Sequence, residues 1–127
     1  IGSPNDHRLL TVQLGRAIKM RVLSVDYRLA PEYPHPAPLE DSIAVYKWLL
    51  SENFKPENII IAGDSAGGNL TLVTLIKLRD DRISLPAGAV CLSPVTDYVG
   101  TGESFFKNAE TDVFLADVGF FWGTKAH

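Results

Sequence analysis

The stretch Gly63-Asp64-Ser65-Ala66-Gly67 is the part of this sequence best suited to covalent chemistry. It follows the pattern G-x-S-x-G, in which a serine hydroxyl acts as nucleophile at a sharp strand-to-helix turn. The serine backbone is strained in such a turn, and the residues two before and two after it come into close contact. Glycines at 63 and 67 remove the side chains that would collide there. The hydroxyl of Ser65 is then held clear of the sheet, beside the N-terminus of the following helix. Free backbone N–H groups and the helix dipole at that end stabilise a developing oxyanion. The donor expected is the N–H of Ala66. Asp64 is adjacent to the nucleophile, but its carboxylate is expected on the other side of the elbow, bracing the turn by hydrogen bonds rather than replacing a histidine base. A glycine-rich loop that only turns the chain could match the same pattern, so the flanking elements decide.

Those elements read as alternating helix and strand. Ser3, Pro4 and Asp6 resemble a helix cap with proline at the first helical position. Leu10, Leu14, Ala17 and Ile18 then share one helical face. Residues 21–27 form a mostly apolar run of strand length. Pro31, Pro34, Pro36 and Pro38 exclude regular helix or central strand from the next segment, and so stiff a turn favours a cis bond before at least one of the first three. Pro38 can open a helix, with Glu40 and Asp41 in its first turn and Leu39, Ile43, Tyr46 and Leu50 as its buried stripe. The run Asn58-Ile59-Ile60-Ile61-Ala62 is apolar on both faces, as in a buried parallel strand. Residues 66–79 predict a helix apolar nearly all round, and therefore deeply packed. Residues 87–93 predict another buried strand. Residues 94–111 read as irregular, and 112–122 as a weak helix. Three alternations of strand and helix place the chain in the α/β class with a mostly parallel sheet. The serine turn thus falls where a nucleophile elbow requires it.

Composition narrows the function classes. The chain has 127 residues, 46% of them hydrophobic, and a net charge of -3. Acidic and basic residues are mixed, with no basic stripe to follow a phosphate backbone, so no nucleic-acid partner is expected. No apolar stretch approaches the ~20 residues of a membrane span. The single cysteine, Cys91, lies in an apolar run and reads as a small buried hydrophobe. No charged leader precedes an apolar segment, and nothing demands an oxidising compartment, so a cytoplasmic location is expected.

The Gly63-Asp64-Ser65-Ala66-Gly67-Gly68-Asn69 segment resembles the G-D-S-A-G-G-N signature of the hormone-sensitive lipase family of esterases. Residues Val25-Asp26-Tyr27-Arg28-Leu29-Ala30-Pro31-Glu32 are similar to its D-Y-R-L-A-P-E block. Pro36-Ala37-Pro38-Leu39-Glu40-Asp41 resembles its P-A-x-x-E-D helix start, and Leu92-Ser93-Pro94 its L-S-P segment. The blocks keep the family's order over roughly residues 2 to 115. The resemblance implies a partial α/β-hydrolase fold, with residues 1–127 the central part of one domain. It places the oxyanion loop H-G-G-G before residue 1 and the catalytic acid and histidine after residue 127. It also implies that the strand pairing with residues 21–27 lies outside this chain.

The activity implied is that of a serine carboxylic-ester hydrolase working through an acyl-enzyme, with short- to medium-chain acyl esters as substrates and no metal or organic cofactor. The 127-residue chain alone would then be inactive while the intact protein turns over esters. The alternative is a non-catalytic receptor of small ligands, as in the gibberellin receptors that resemble the same family. Neither reading decides the oligomeric state. Of the histidines, His127 follows Ser65, Asp97 and Asp112 in the chain order used by α/β-hydrolases, but no strand signal after Ser93 would return it to the elbow. His7 and His35 match family positions that are not catalytic, and surface or packing roles are expected for both. Arg28, Glu32 and Asp41 are expected to pair and hold the proline loop, and Asn69 to bond nearby backbone.

Overall fold

The computed structural model describes residues 3–108 and 110–113. The chain divides into two units, Ile1–Pro94 and Val95–His127. In the first, the element order is α1 (Arg8–Ile18), α2 (Ala37–Ser51), β1 (Ile60–Asp64), α3 (Ala66–Asp80) and β2 (Gly88–Leu92), with a 3-10 turn at Pro56–Asn58 before β1. β1 and β2 pair in parallel, from Ile60 opposite Gly88 to Asp64 opposite Leu92, and α3 makes the crossover between them. This is the α/β arrangement expected.

The core lies where α2 and α3 meet one face of this sheet. Tyr46, Ile59 and Leu78 are buried at its centre, and Leu49, Leu50, Phe54, Ile61 and Ile83 pack around them. Burial of an aromatic or leucine side chain of this kind contributes roughly 1.5–3 kcal/mol. The Tyr46 hydroxyl donates to the Ser84 carbonyl oxygen at 2.7 Å, which satisfies its polar end inside the core, and burial pushes the Tyr46 phenol up from its ordinary range. Among the described residues one buried side-chain polar atom lacks a partner. The Thr74 hydroxyl, on a residue 1% exposed, makes no hydrogen bond. Replacing Thr74 by valine removes that desolvated hydroxyl and keeps the branched shape, so Thr74→Val should stabilise the protein by about 1 kcal/mol. Urea unfolding would show it as a higher midpoint, and a lower midpoint would mean that the hydroxyl has a partner.

Several local expectations are corrected. Residues 4–7 form a turn and the helix starts at Arg8. Ser3 and Asp6 do exchange the predicted cap bonds, with Ser3 N–H to Asp6 Oδ2 at 2.7 Å and Asp6 N–H to Ser3 Oγ at 3.4 Å. Those bonds close one tight turn ahead of the helix rather than its first turn. α1 has no buried residue, and Leu10, Leu14 and Ile18 are exposed. Residues 21–27, whose pairing strand was expected outside this chain, accordingly run without ladder pairing among the described residues. Among the described residues the sheet is covered on one face only. Ile60 is 49% and Leu92 53% exposed, so β1 and β2 are not buried on both sides as their composition suggested. α3 likewise buries one stripe, Gly68, Thr71, Thr74 and Leu78, and leaves Ile76 exposed. Its two small or polar Thr positions sit inside because they are the ones that face the sheet.

Proline shapes the connection into α2. The Ala30–Pro31 and His35–Pro36 bonds are cis. α2 begins at Ala37, with Pro36 capping it and Pro38 in the first turn, one residue earlier than the sequence suggested. Arg28 ties this segment to α2. Its backbone N–H donates to Asp41 Oδ2 at 2.8 Å, its Nη2 donates to Asp41 Oδ1 at 2.8 Å, and a second bond reaches Glu40 at 3.2 Å. The Arg28 guanidinium holds the Asp41 carboxyl below the ordinary carboxylate range. Glu32, expected as part of this set, is exposed and makes no ion pair among the described residues; Glu40, next to Asp41 in the first turn of α2, takes that place.

In the second unit the Asp97 carboxylate accepts from the N–H groups of Val99, Gly100 and Thr101 at 2.8, 3.2 and 2.7 Å. The Thr101 hydroxyl, donating to Asp97 Oδ2 at 2.7 Å, and then these N–H bonds to its charged form hold its pKa down. A short helix, α4 (Glu103–Lys107), interrupts the stretch read as irregular. An ion pair of 2.7 Å between Glu103 and Lys107 spans its single turn. Positions 114–122 of the weak helix, and His127, lie outside the described residues.

Candidate active site

β1 ends at Asp64 and α3 starts at Ala66, so Ser65 alone makes the turn between them. Its backbone angles are φ 52° and ψ -117°, a region that an L-residue adopts only under strain of ~1–3 kcal/mol. The surrounding bonds impose it. Ser65 N–H donates to the Leu92 carbonyl oxygen at 2.9 Å, which fastens the elbow to the end of β2, and Asn69 N–H donates to the Ser65 carbonyl oxygen at 3.2 Å. The side chain of Ser65 is exposed.

The close packing has a different distribution from the one predicted. A Cβ on Gly63 would lie 2.2 Å from the Gly67 carbonyl oxygen and 2.3 Å from its carbon, whereas a Cβ on Gly67 would meet nothing within 4 Å. The contact between the two flanks is real, but it is made by the backbone of 67 against position 63. Only Gly63 is sterically obligatory for it. Gly68 carries the second constraint, since its Cβ would fall 2.9 Å from Pro94 Cβ. The helix start is thereby pressed onto the residues that follow β2.

Ala66 is the first residue of α3. Its N–H precedes the first acceptor of the helix ladder and has no intrahelical partner. It sits beside Ser65 at the positive end of the helix dipole, the geometry an oxyanion donor needs. Among the described residues no side chain hydrogen-bonds the Ser65 hydroxyl. The Asn69 side chain likewise forms no hydrogen bond there, and only its backbone N–H is engaged.

Asp64 turns away from Ser65 and faces His7. His7 Nε2 lies 3.3 Å from Asp64 Oδ1 and 3.4 Å from Oδ2. The other ring nitrogen, Nδ1, lies 3.4 Å from the Ser3 carbonyl oxygen. That carbonyl, and then Asp64, raise the His7 pKa above its ordinary value. Sequence reasoning put His7 on the surface or in packing and did not connect it to Asp64, 57 residues away. No local pattern could have done so. His35 lies in the proline loop, exposed. Among the described residues no group of three or more His, Cys, Asp or Glu is placed to hold a metal ion, and no helix is long and apolar enough to cross a membrane.

Comparison with known proteins agrees with the α/β fold. A family model described as the alpha/beta hydrolase fold matches residues 1–126. The chain is 42% identical over 115 residues to an acetyl-hydrolase of Streptomyces hygroscopicus, covering 91% of this chain and 38% of that protein. It is 40% identical over 116 residues to an esterase of Acinetobacter venetianus, with the same two coverages, 91% and 38%. The crystal structure of an esterase from the bacterial hormone-sensitive lipase family superimposes with a TM-score of 0.85 at 51% identity, over 88% of this chain and 38% of that one. The chain therefore spans about 38% of the length of these two relatives.

Proposed function

The chain belongs to the α/β-hydrolase family, among the hormone-sensitive lipase esterases, and from that premise we propose that it carries the nucleophile of a serine carboxylic-ester hydrolase. Its relatives are ester hydrolases. The observation that supports a serine mechanism is the backbone of Ser65, strained at φ 52° on an exposed one-residue turn at the start of α3. In this reading Ser65 Oγ attacks the ester carbonyl carbon as a histidine takes its proton. The carbonyl oxygen becomes an oxyanion and accepts from the Ala66 N–H. Collapse expels the alcohol, which receives the proton from the histidine. Water then attacks the acyl-enzyme by the same route and releases the acid.

The acid and histidine partners, and further oxyanion donors, come in this proposal from parts of the protein other than the described residues. Gly63 lets the backbone of Gly67 approach so that the turn closes, and Asp64 belongs to the elbow without touching the reacting atoms. No metal or organic cofactor enters these steps. The acyl group proposed is short to medium in length, in keeping with a relative named as an acetyl-hydrolase.

A p-nitrophenyl ester series, from acetate through octanoate to palmitate, tests the reading on the intact protein. The expected result is turnover with kcat/KM highest on the acetate-to-octanoate side and low on palmitate. A folded protein that binds a small ligand but hydrolyses none of the series would overturn it.

A further inference from the structure

We propose that His7 is a positioning residue for Ser65, acting in its imidazolium form as a clamp between the Ser3 turn and Asp64 at the elbow. The proposal rests on the reading of Ser65 as nucleophile. Its basis is the chemistry of the two groups that flank the ring. Nδ1 faces a backbone carbonyl at 3.4 Å and Nε2 faces a carboxylate at 3.3–3.4 Å. Both partners are acceptors only. A neutral imidazole has one N–H and can serve one of them, whereas the imidazolium has two and serves both. The arrangement therefore selects the charged ring.

The clamp joins two segments far apart in the sequence, the turn at Ser3 and the end of β1. Ser3 is fixed to Asp6 by four bonds of the turn, and that turn runs directly into α1. Asp64 is the residue immediately before Ser65, and its own backbone is held in β1 opposite Leu92. A pull on the Asp64 side chain is thus transmitted to a one-residue turn whose angles are already strained. The charged groups that act on the ring are Asp64, from β1, and Asp6, from its own turn, and both favour the cation. The pair is solvent-accessible, with side chains 39% and 51% exposed, so the effect is modest and adjustable rather than structural.

The sign of the pH dependence follows. The folded-state pKa of His7 lies above 6.5, so the clamp is fully formed below that value and is lost as pH rises through the raised pKa. Turnover should therefore contain an alkaline decline that belongs to His7.

Two measurements on the intact protein test this. In histidine side-chain NMR the His7 ring should titrate above 6.5 in the wild type and fall toward the ordinary value in Asp64→Asn. In steady-state kinetics on p-nitrophenyl acetate, His7→Gln should lower kcat by about two- to fivefold at neutral pH with KM unchanged, and should remove the alkaline decline. An unchanged titration midpoint in Asp64→Asn, or a pH profile of His7→Gln that overlays the wild type, would overturn the clamp. A wild-type protein with no Ser65-dependent hydrolysis would instead overturn the hydrolase reading, and the NMR comparison would still decide whether His7 and Asp64 are coupled.

Discussion

Replacing Ser65 by alanine in the intact protein should lower ester turnover on the order of 10⁴- to 10⁶-fold while leaving the fold and its stability nearly unchanged. The size of the loss follows from the role proposed. Without Oγ no acyl-enzyme forms, and the remaining groups can only stabilise attack by water. The selectivity of the loss follows from the geometry. Ser65 is exposed, its hydroxyl has no partner among the described residues, and its contribution to the fold is through backbone, the N–H to Leu92 and the carbonyl from Asn69. Alanine keeps both bonds and tolerates φ 52° no worse than serine does, since each carries one Cβ. The experiment is p-nitrophenyl acetate hydrolysis beside thermal unfolding, with a fluorophosphonate reagent and intact mass to locate the adduct. Retained turnover, or an adduct elsewhere, would remove Ser65 from the mechanism.

The second large effect is an asymmetry between two glycines that the motif treats alike. Gly63→Ala should destabilise the protein by ~3 kcal/mol or more and abolish activity, whereas Gly67→Ala should be neutral or stabilise it by up to about 1 kcal/mol. At 63 the new Cβ lies 2.2 Å from a backbone oxygen and 2.3 Å from a backbone carbon. No side-chain rotation relieves that overlap, so β1 and α3 must separate. At 67 the new methyl meets nothing within 4 Å and gains the helix propensity that glycine lacks in the second position of α3. Urea unfolding of both variants gives the comparison. Equal loss at the two positions would mean that the flanks of the elbow approach through both residues, contrary to the geometry described.

Both results bear on how the site is built. The elbow is held at three points: the Leu92 carbonyl to the Ser65 N–H, the backbone of 67 against Gly63, and Pro94 against Gly68. Two of these come from β2 and the residue pair after it. The Leu92-Ser93-Pro94 segment is thus part of the support of the nucleophile turn, and Ser93 itself turns sharply at φ 43°. The His7 clamp adds a fourth tie from the opposite end of the unit's sequence.

Much of this was legible in the residues. The serine between glycines, preceded by a β-branched run and followed by a long apolar helix, pointed to a strand-turn-helix with the hydroxyl at the helix N-terminus, because the flanking elements leave one residue to make the turn between them. The proline cluster determined where α2 could begin to within one residue, through the missing N–H groups and fixed φ angles. The apolar alternation determined the α/β class. Other features depended on contacts between residues far apart in the chain. Which glycine is obligatory was decided by which backbone approaches which, at distances the motif does not encode. The exposure of Ile60, Leu92 and the α1 stripe was decided by what packs against them, since hydrophobic composition specifies a preference for burial and not the presence of a cover. The second partner of Arg28, beside the expected Asp41, was decided by the register of α2, which brought Glu40 within reach while Glu32 stays in the loop before it. His7 met Asp64 because the turn before α1 lies at the end of β1 in space, although 57 residues separate them. Local pattern is set by sterics and hydrogen bonding between near neighbours, and so can be read from the chain. Long-range pairing is set by the packing of whole elements, and only the tertiary structure contains it.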